Sequence, residues 1–227
     1  MTQKLSLPKR LSCEALGCAF LLASIVGSGI MAERLCGGNA GLALLANSLA
    51  TGFALFTLIS IFAPLSGAHF NPWVTGFLFF RKALPFREAA GYVSAQLLGS
   101  LLGVGMANLM FDNPFFFPSH AYRSGGGLWL SEWVATFGLL SVVIFSAKDS
   151  ANVTACRVGA YIVAAYWFTA STSFANPAVT LARAFTDTFS GIRIADVPAF
   201  LIAQASGVLC AAFLLNWLTP QNSEKIS

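Results

Sequence analysis

Six stretches of this 227-residue chain contain no Asp, Glu, Lys or Arg: 15–32, 35–80, 89–111, 133–147, 158–182 and 197–223. A membrane-spanning helix needs roughly 20 apolar residues. Most of these stretches fit one span; the longest, 46 residues, must hold more than one. Charged residues make up 10% of the chain and hydrophobic residues 56%. A soluble chain carries about 25% charged residues, so composition excludes a disordered chain, a collagen-like chain and an ordinary soluble enzyme. It points to an all-α membrane protein.

The spans predicted from these stretches are about 12–33, 40–62, 88–111, 128–147, 157–171 and 197–219. Lys4, Lys9 and Arg10 precede the first apolar run, but that run is too long for a signal-peptide core, so a retained helix is expected. The 13 basic residues cluster at the ends of apolar runs, which argues for orientation and against nucleic acid as a partner. With an even number of spans, Lys4, Lys9, Arg10, Arg81, Lys82, Arg87, Lys148, Arg157 and Lys225 share one side. Arg34, Arg123, Arg183 and Arg193 share the other. The richer side takes the cytoplasm, so both termini are expected there, in the inner membrane. The five cysteines form no CxxC pair and read as buried apolar thiols. No metal or other cofactor is expected, and no Ser–His or metal-ligand constellation suggests an enzyme.

Two apolar segments are too short to cross, and each contains Asn-Pro. Proline costs little in a first helical turn, and asparagine before it is a strong cap. Asn71-Pro72 and Asn176-Pro177 therefore predict half-helices over about 72–81 and 177–187, each about 15 Å long. The chain also repeats itself. SGAHFNPWVT recurs as STSFANPAVT, and YVSAQLLGSLLG recurs as FLIAQASGVLCA, pairing Gln96 with Gln204 and Gly99 with Gly207. Glu14 and Glu132 open equivalent spans. Each repeat holds three spans, an odd number, so the second copy is inverted. One channel domain over 1–227 is expected, with repeats about 12–111 and 128–219 and a linker at 112–127. Inverted repeats with broken helices place a site near the bilayer midplane. There the half-helix N-termini and the Asn71 and Asn176 amides would face a permeant oxygen. Backbone carbonyls of Gly67, Ala68, His69, Phe70, Thr172, Ser173, Phe174 and Ala175 would offer acceptors. Gly99, Gly103 and Gly207 read as close helix-packing positions.

GAHFNP and FANPAVT on such a repeat resemble the paired signature loops of the major intrinsic protein family, the aquaporins and aquaglyceroporins. The resemblance spans about 12–219 and includes Glu14, Glu132, Gln96 and Gln204. It implies six transmembrane helices and two re-entrant half-helices, a homotetramer with one pore per subunit, and passive flow of water or small neutral solutes. It makes Asn71, Pro72, Trp73, Asn176, Pro177 and Ala178 the midplane motifs. Glu14 and Glu132 become braces of the re-entrant loops, and His69 a scaffold residue or gate.

Two departures from the family pattern stand out. Trp73 occupies a position usually held by alanine, so it either narrows the pore or packs sideways. Val179 stands where the family usually has its filter arginine, while Arg183, one turn on, reads as a headgroup-facing charge. Spacing carries the other filter positions to Thr51, Ala164 and Ser173. Such a wide, uncharged filter leaves cation exclusion to the midplane. It suits glycerol-like polyols or metalloid hydroxides such as arsenous acid, with water following. A secondary transporter, or a water-selective or non-conducting protein limited by Trp73, remains an alternative.

Overall fold

The computed structural model describes residues 5–218. Lys4 and Lys225, which enter the charge asymmetry, lie outside the described residues, as does the last residue of the 197–219 span. Eight α-helices follow in order: α1 (Leu7–Leu35), α2 (Ala40–Ser66), α3 (Pro72–Phe80), α4 (Phe86–Met110), α5 (Gly126–Phe145), α6 (Ala151–Phe168), α7 (Pro177–Ala182) and α8 (Val197–Leu218). Single 3-10 turns occupy Arg183–Phe185 and Ile194–Asp196.

By length and composition, α1, α2, α4, α5 and the segment containing α8 are long and apolar enough to cross a membrane. The sixth expected span is α6, with 18 residues; it starts at Ala151, earlier than its charge-free stretch, and draws Arg157 into its first turns. Its buried stripe is Ala155, Val158, Gly159, Ile162, Ala165 and Tyr166.

The burial pattern is inverted relative to a soluble protein. Outward faces are apolar: Phe53 is 70% exposed, Ile202 71% and Phe213 79%. Glu14, Gln96, Glu132 and Gln204 are fully buried. Such surfaces suit lipid, where every buried polar group must find an internal partner. The cysteines follow this scheme only in part. Cys18 is buried, whereas Cys156 and Cys210 are exposed on outer faces, so the expectation of buried thiols fails for those two.

Close crossings set the frame. A Cβ at Gly99 would meet the Ala15 carbonyl oxygen at 2.1 Å, and one at Gly103 the Ala19 oxygen at 2.2 Å, so α1 and α4 touch backbone to backbone. Gly207 plays the same part between α8 and α5, against the Trp133 oxygen at 2.6 Å. Small residues permit this approach, and dispersion contacts then hold the pairs together in lipid.

The two short helices begin where Asn-Pro predicts. The Asn71 side chain accepts from the Trp73 amide, and the Asn176 side chain from the Ala178 amide, both at 2.9 Å. The second is shorter than expected: α7 stops at Ala182, and by Thr186 the backbone is extended. Asn108 on α4 captures that end. Its Nδ2 donates to the Phe185 carbonyl, while its Oδ1 accepts from the Thr186 hydroxyl.

Candidate functional site: a cavity between two capped half-helices

The loops before α3 and α7 adopt backbone conformations that L-residues seldom take. Ala68, Phe70, Thr172, Ser173 and Ala175 all have φ between 47° and 62°. Each such residue costs of order 1–3 kcal/mol unless the surroundings fix it. Two buried carboxylates do so. Glu14 Oε1 accepts from the His69 amide at 3.1 Å and the Ser66 hydroxyl at 2.6 Å. Its Oε2 accepts from the Phe70 amide at 2.9 Å and Gln96 Nε2 at 2.8 Å. Glu132 repeats the pattern with the amides of Phe174 and Ala175 and with Gln204 Nε2. The glutamines extend the brace into the half-helices through Thr75 and Thr180. Those threonines hold equivalent places in the recurring decapeptide, which was the overlooked signal for them.

The half-helix N-termini meet tip to tip. Asn71 Nδ2 donates to the Ala175 carbonyl at 2.9 Å, and Asn176 Nδ2 donates to the Phe70 carbonyl at 2.7 Å. Each asparagine thus caps its own helix with its oxygen and ties down the opposite loop with one amide hydrogen. An amide carries two such hydrogens, so each Asn keeps one for the cavity that both border.

That cavity measures about 520 Å³. Ser146 and Asp149, in the α5–α6 connection, border one part of it, and Arg183, beyond α7, borders another. Leu21, Ile25, Leu55, Ile59, Leu139 and Val143 make its wall largely apolar. Gly67, Ala68, His69, Phe70, Ser173 and Phe174 supply the loop surface. The His69 ring lies 4.9 Å from that of Tyr92, with Nδ1 3.0 Å from Thr75 Oγ1. Thr172 and Ala175 are absent from the wall. Ala175 is fully buried with its carbonyl bonded to Asn71, and Thr172 is turned into the α6–α7 connection, its amide on the Thr169 carbonyl.

Pro72, Trp73, Pro177 and Ala178 likewise do not border the cavity; first-turn geometry aims them away from it, and they shape the half-helices. Trp73 packs sideways with Leu140, Val208 and Ala211, and its indole Nε1 donates to Gln204 Oε1 at 3.2 Å. Of the two expectations for Trp73, this is the sideways one, and the indole does not border the cavity. Trp73→Ala is expected to lower stability by about 2 kcal/mol, less than a fully buried tryptophan because the ring is half-buried, and to leave flux per folded channel unchanged. Thermal unfolding in detergent and stopped-flow flux check both; faster flux would return the indole to the pore.

Thr51, Ser173 and Val179 border the cavity. Ala164 does not: it lies exposed on the opposite side of α6. Ile162 and Tyr166, four residues apart on the buried face, take that part of the wall. Counting back from Asn176 fails here because a helix face is set by its packing, and Gly159 presses against the Gly52 carbonyl to fix that rotation. The Tyr166 hydroxyl lies 3.2 Å from Thr51 Oγ1. Since Thr51 donates to the Asn47 carbonyl, the shared hydrogen comes from Tyr166. Nothing in the motif spacing pointed to this tyrosine.

Arg183 is the larger correction. Expected in the headgroup region, it is 2% exposed and borders the cavity. Its Nε donates to the Ser190 carbonyl, and its guanidinium carbon lies 3.5 Å from the Phe174 ring centroid. Helical side chains lean toward the N-terminus, so an arginine one turn on returns its charge toward the level of Val179.

The chain matches the family model described as Major intrinsic protein over residues 1–173 and 150–226. It is 50% identical over 216 residues to an aquaglyceroporin, AqpS, of Rhizobium meliloti (strain 1021), covering 95% of this chain and 92% of that one. It is 28% identical to a probable aquaporin, AqpM, of Archaeoglobus fulgidus, over 96% and 99% of the two chains. The X-ray structure of the aquaglyceroporin from Plasmodium falciparum superposes with a TM-score of 0.67 at 22% identity, covering 93% of this chain and 95% of that one, a likeness of fold.

Proposed function

Because this chain belongs to the major intrinsic protein family, we propose that it is a passive channel for water and small neutral solutes, and not an enzyme. The observation that carries this reading is the cavity bordered by both Asn71 and Asn176, whose amides meet at one level between opposed half-helices. Each half-helix end carries about half a positive charge, so the midplane favours an oxygen lone pair and repels cations. The apolar wall elsewhere holds a solute weakly and lets it leave.

Glycerol-like polyols and metalloid hydroxides such as arsenous acid are the solutes we assign, and the similarity to a named aquaglyceroporin supports the class. Repeats at about 12–111 and 128–219 are read as inverted copies in one channel domain. A homotetramer in the cell membrane, with both termini cytoplasmic, completes the reading.

The deciding experiment is stopped-flow entry of water, glycerol and arsenous acid into proteoliposomes, with and without a pH gradient and a membrane potential. Entry is expected to follow each solute's own gradient, without saturating at low concentration and without acidifying the lumen. Uphill accumulation driven by protons or sodium would replace the channel with a secondary transporter.

A further inference from the structure

Between the asparagine caps and the 112–127 linker, the cavity is bordered by Ser173, Phe174, Val179 and Arg183. Val179, in α7, and Arg183, which opens the following 3-10 turn, are four residues apart and both border the cavity. The backbone carbonyl that receives Arg183 Nε belongs to Ser190, whose own hydroxyl donates to the Ile25 carbonyl of α1 at 3.1 Å. The guanidinium is therefore fixed from two directions, by that carbonyl and by the face of Phe174. Arg123, from the linker, lies 5.1 Å from the same ring centroid and donates through Nε to the Gly191 carbonyl at 2.7 Å. Neither arginine takes part in the ion pairs seen among the described residues. Beside them, Ser173 Oγ is buried without a hydrogen-bond partner among the described residues.

A guanidinium stays protonated in proteins, and one that borders a conduit outside any of the ion pairs seen among the described residues acts on whatever passes. We propose that Arg183 determines the charge selectivity of this channel. Its guanidinium forms a fixed cationic wall on the linker side of the asparagine caps, which turns cations away. It also donates to the oxygens of neutral hydroxylated solutes. Valine at 179 leaves that side of the wall to the arginine from the next turn. The constriction is then cationic, not the uncharged ring that Thr51, Ser173 and Val179 suggest by themselves. This rests on the channel reading above.

The test compares wild type, Arg183→Leu, Arg183→Gln, Arg183→Lys and the double variant Val179→Arg/Arg183→Leu in proteoliposomes. Glycerol entry is followed by light scattering, and proton leak by an entrapped pH dye under an imposed potassium diffusion potential. Wild type is expected to pass glycerol without leaking. Removing a unit charge from the cavity wall is expected to raise the leak about tenfold in the leucine and glutamine variants. Lysine keeps the charge and is expected to hold the leak near wild type while changing the glycerol rate, because the planar fork is gone. The double variant returns a guanidinium to the cavity wall and is expected to suppress the leak. Glutamine keeps a donor for Ser190, so it stands in if the leucine variant fails to fold. A folded, water-conducting Arg183→Leu or Arg183→Gln channel that leaks no more than wild type would overturn the proposal and leave the channel reading intact. Absence of passive flux in wild type would strike the channel reading itself.

Discussion

Replacing Glu14 by alanine is expected to abolish the folded channel. The carboxylate is fully buried and accepts from the His69 and Phe70 amides, the Ser66 hydroxyl and Gln96. Alanine orphans all of these donors at once, and each costs about 1–3 kcal/mol when left unmade in a buried site. The sum reaches the whole margin of about 5–15 kcal/mol that holds a domain together. The left-handed Phe70 also loses the amide bond that holds it there, and Ser66, which accepts from the Ala68 amide, loses its own anchor. Glu132→Ala is expected to do less damage. It orphans the amides of Phe174 and Ala175 and one hydrogen of the Gln204 side chain, with no counterpart of the Ser66 hydroxyl bond among the described residues. Size-exclusion profiles and melting temperatures in detergent give the ranking. A Glu14→Ala protein that stays monodisperse and conducts would show that the brace is dispensable.

Asn176→Asp is expected to stop neutral-solute flux. The Asn176 amide donates to the Phe70 carbonyl at 2.7 Å, whereas its oxygen caps α7. An aspartate keeps the cap but sets a carboxylate oxygen against a carbonyl oxygen, separating the two half-helix tips. It also brings a full negative charge to a level where the half-helix ends provide positive half-charges. Such a charge binds cations and obstructs the path of neutral solutes. Glycerol entry near the protein-free background, in protein that still elutes as folded, is the expected measurement. Wild-type glycerol flux would show that the amide donor has no part in conduction.

Much of the fold was legible because its determinants are local. A long charge-free run has few states available in lipid, and Asn-Pro starts a helix wherever it occurs. A second recurring segment paired Gln96 with Gln204, the openings of equivalent spans paired Glu14 with Glu132, and the backbone clashes awaiting any side chain at Gly99, Gly103 and Gly207 agree with their reading as packing positions. Helix ends were less legible: the predicted end of α7 at 187 ignored Asn108, which is remote in sequence and captures Phe185 and Thr186.

The sequence by itself determined the number of apolar helices and the two capped half-helices, while the bracing carboxylates came from the family resemblance. Period, capping and hydrophobicity act within a few residues, so they can be read along the chain. Only the tertiary structure decided which side chains face the cavity. Trp73 turned toward Gln204, Ala164 turned outward while Tyr166 turned in, and Arg183 folded back over Phe174. Those choices depend on helix rotation, and rotation is fixed by contacts between distant residues, such as Gly52 against Gly159 and Ser190 against Ile25. A residue count from a motif carries no term for them.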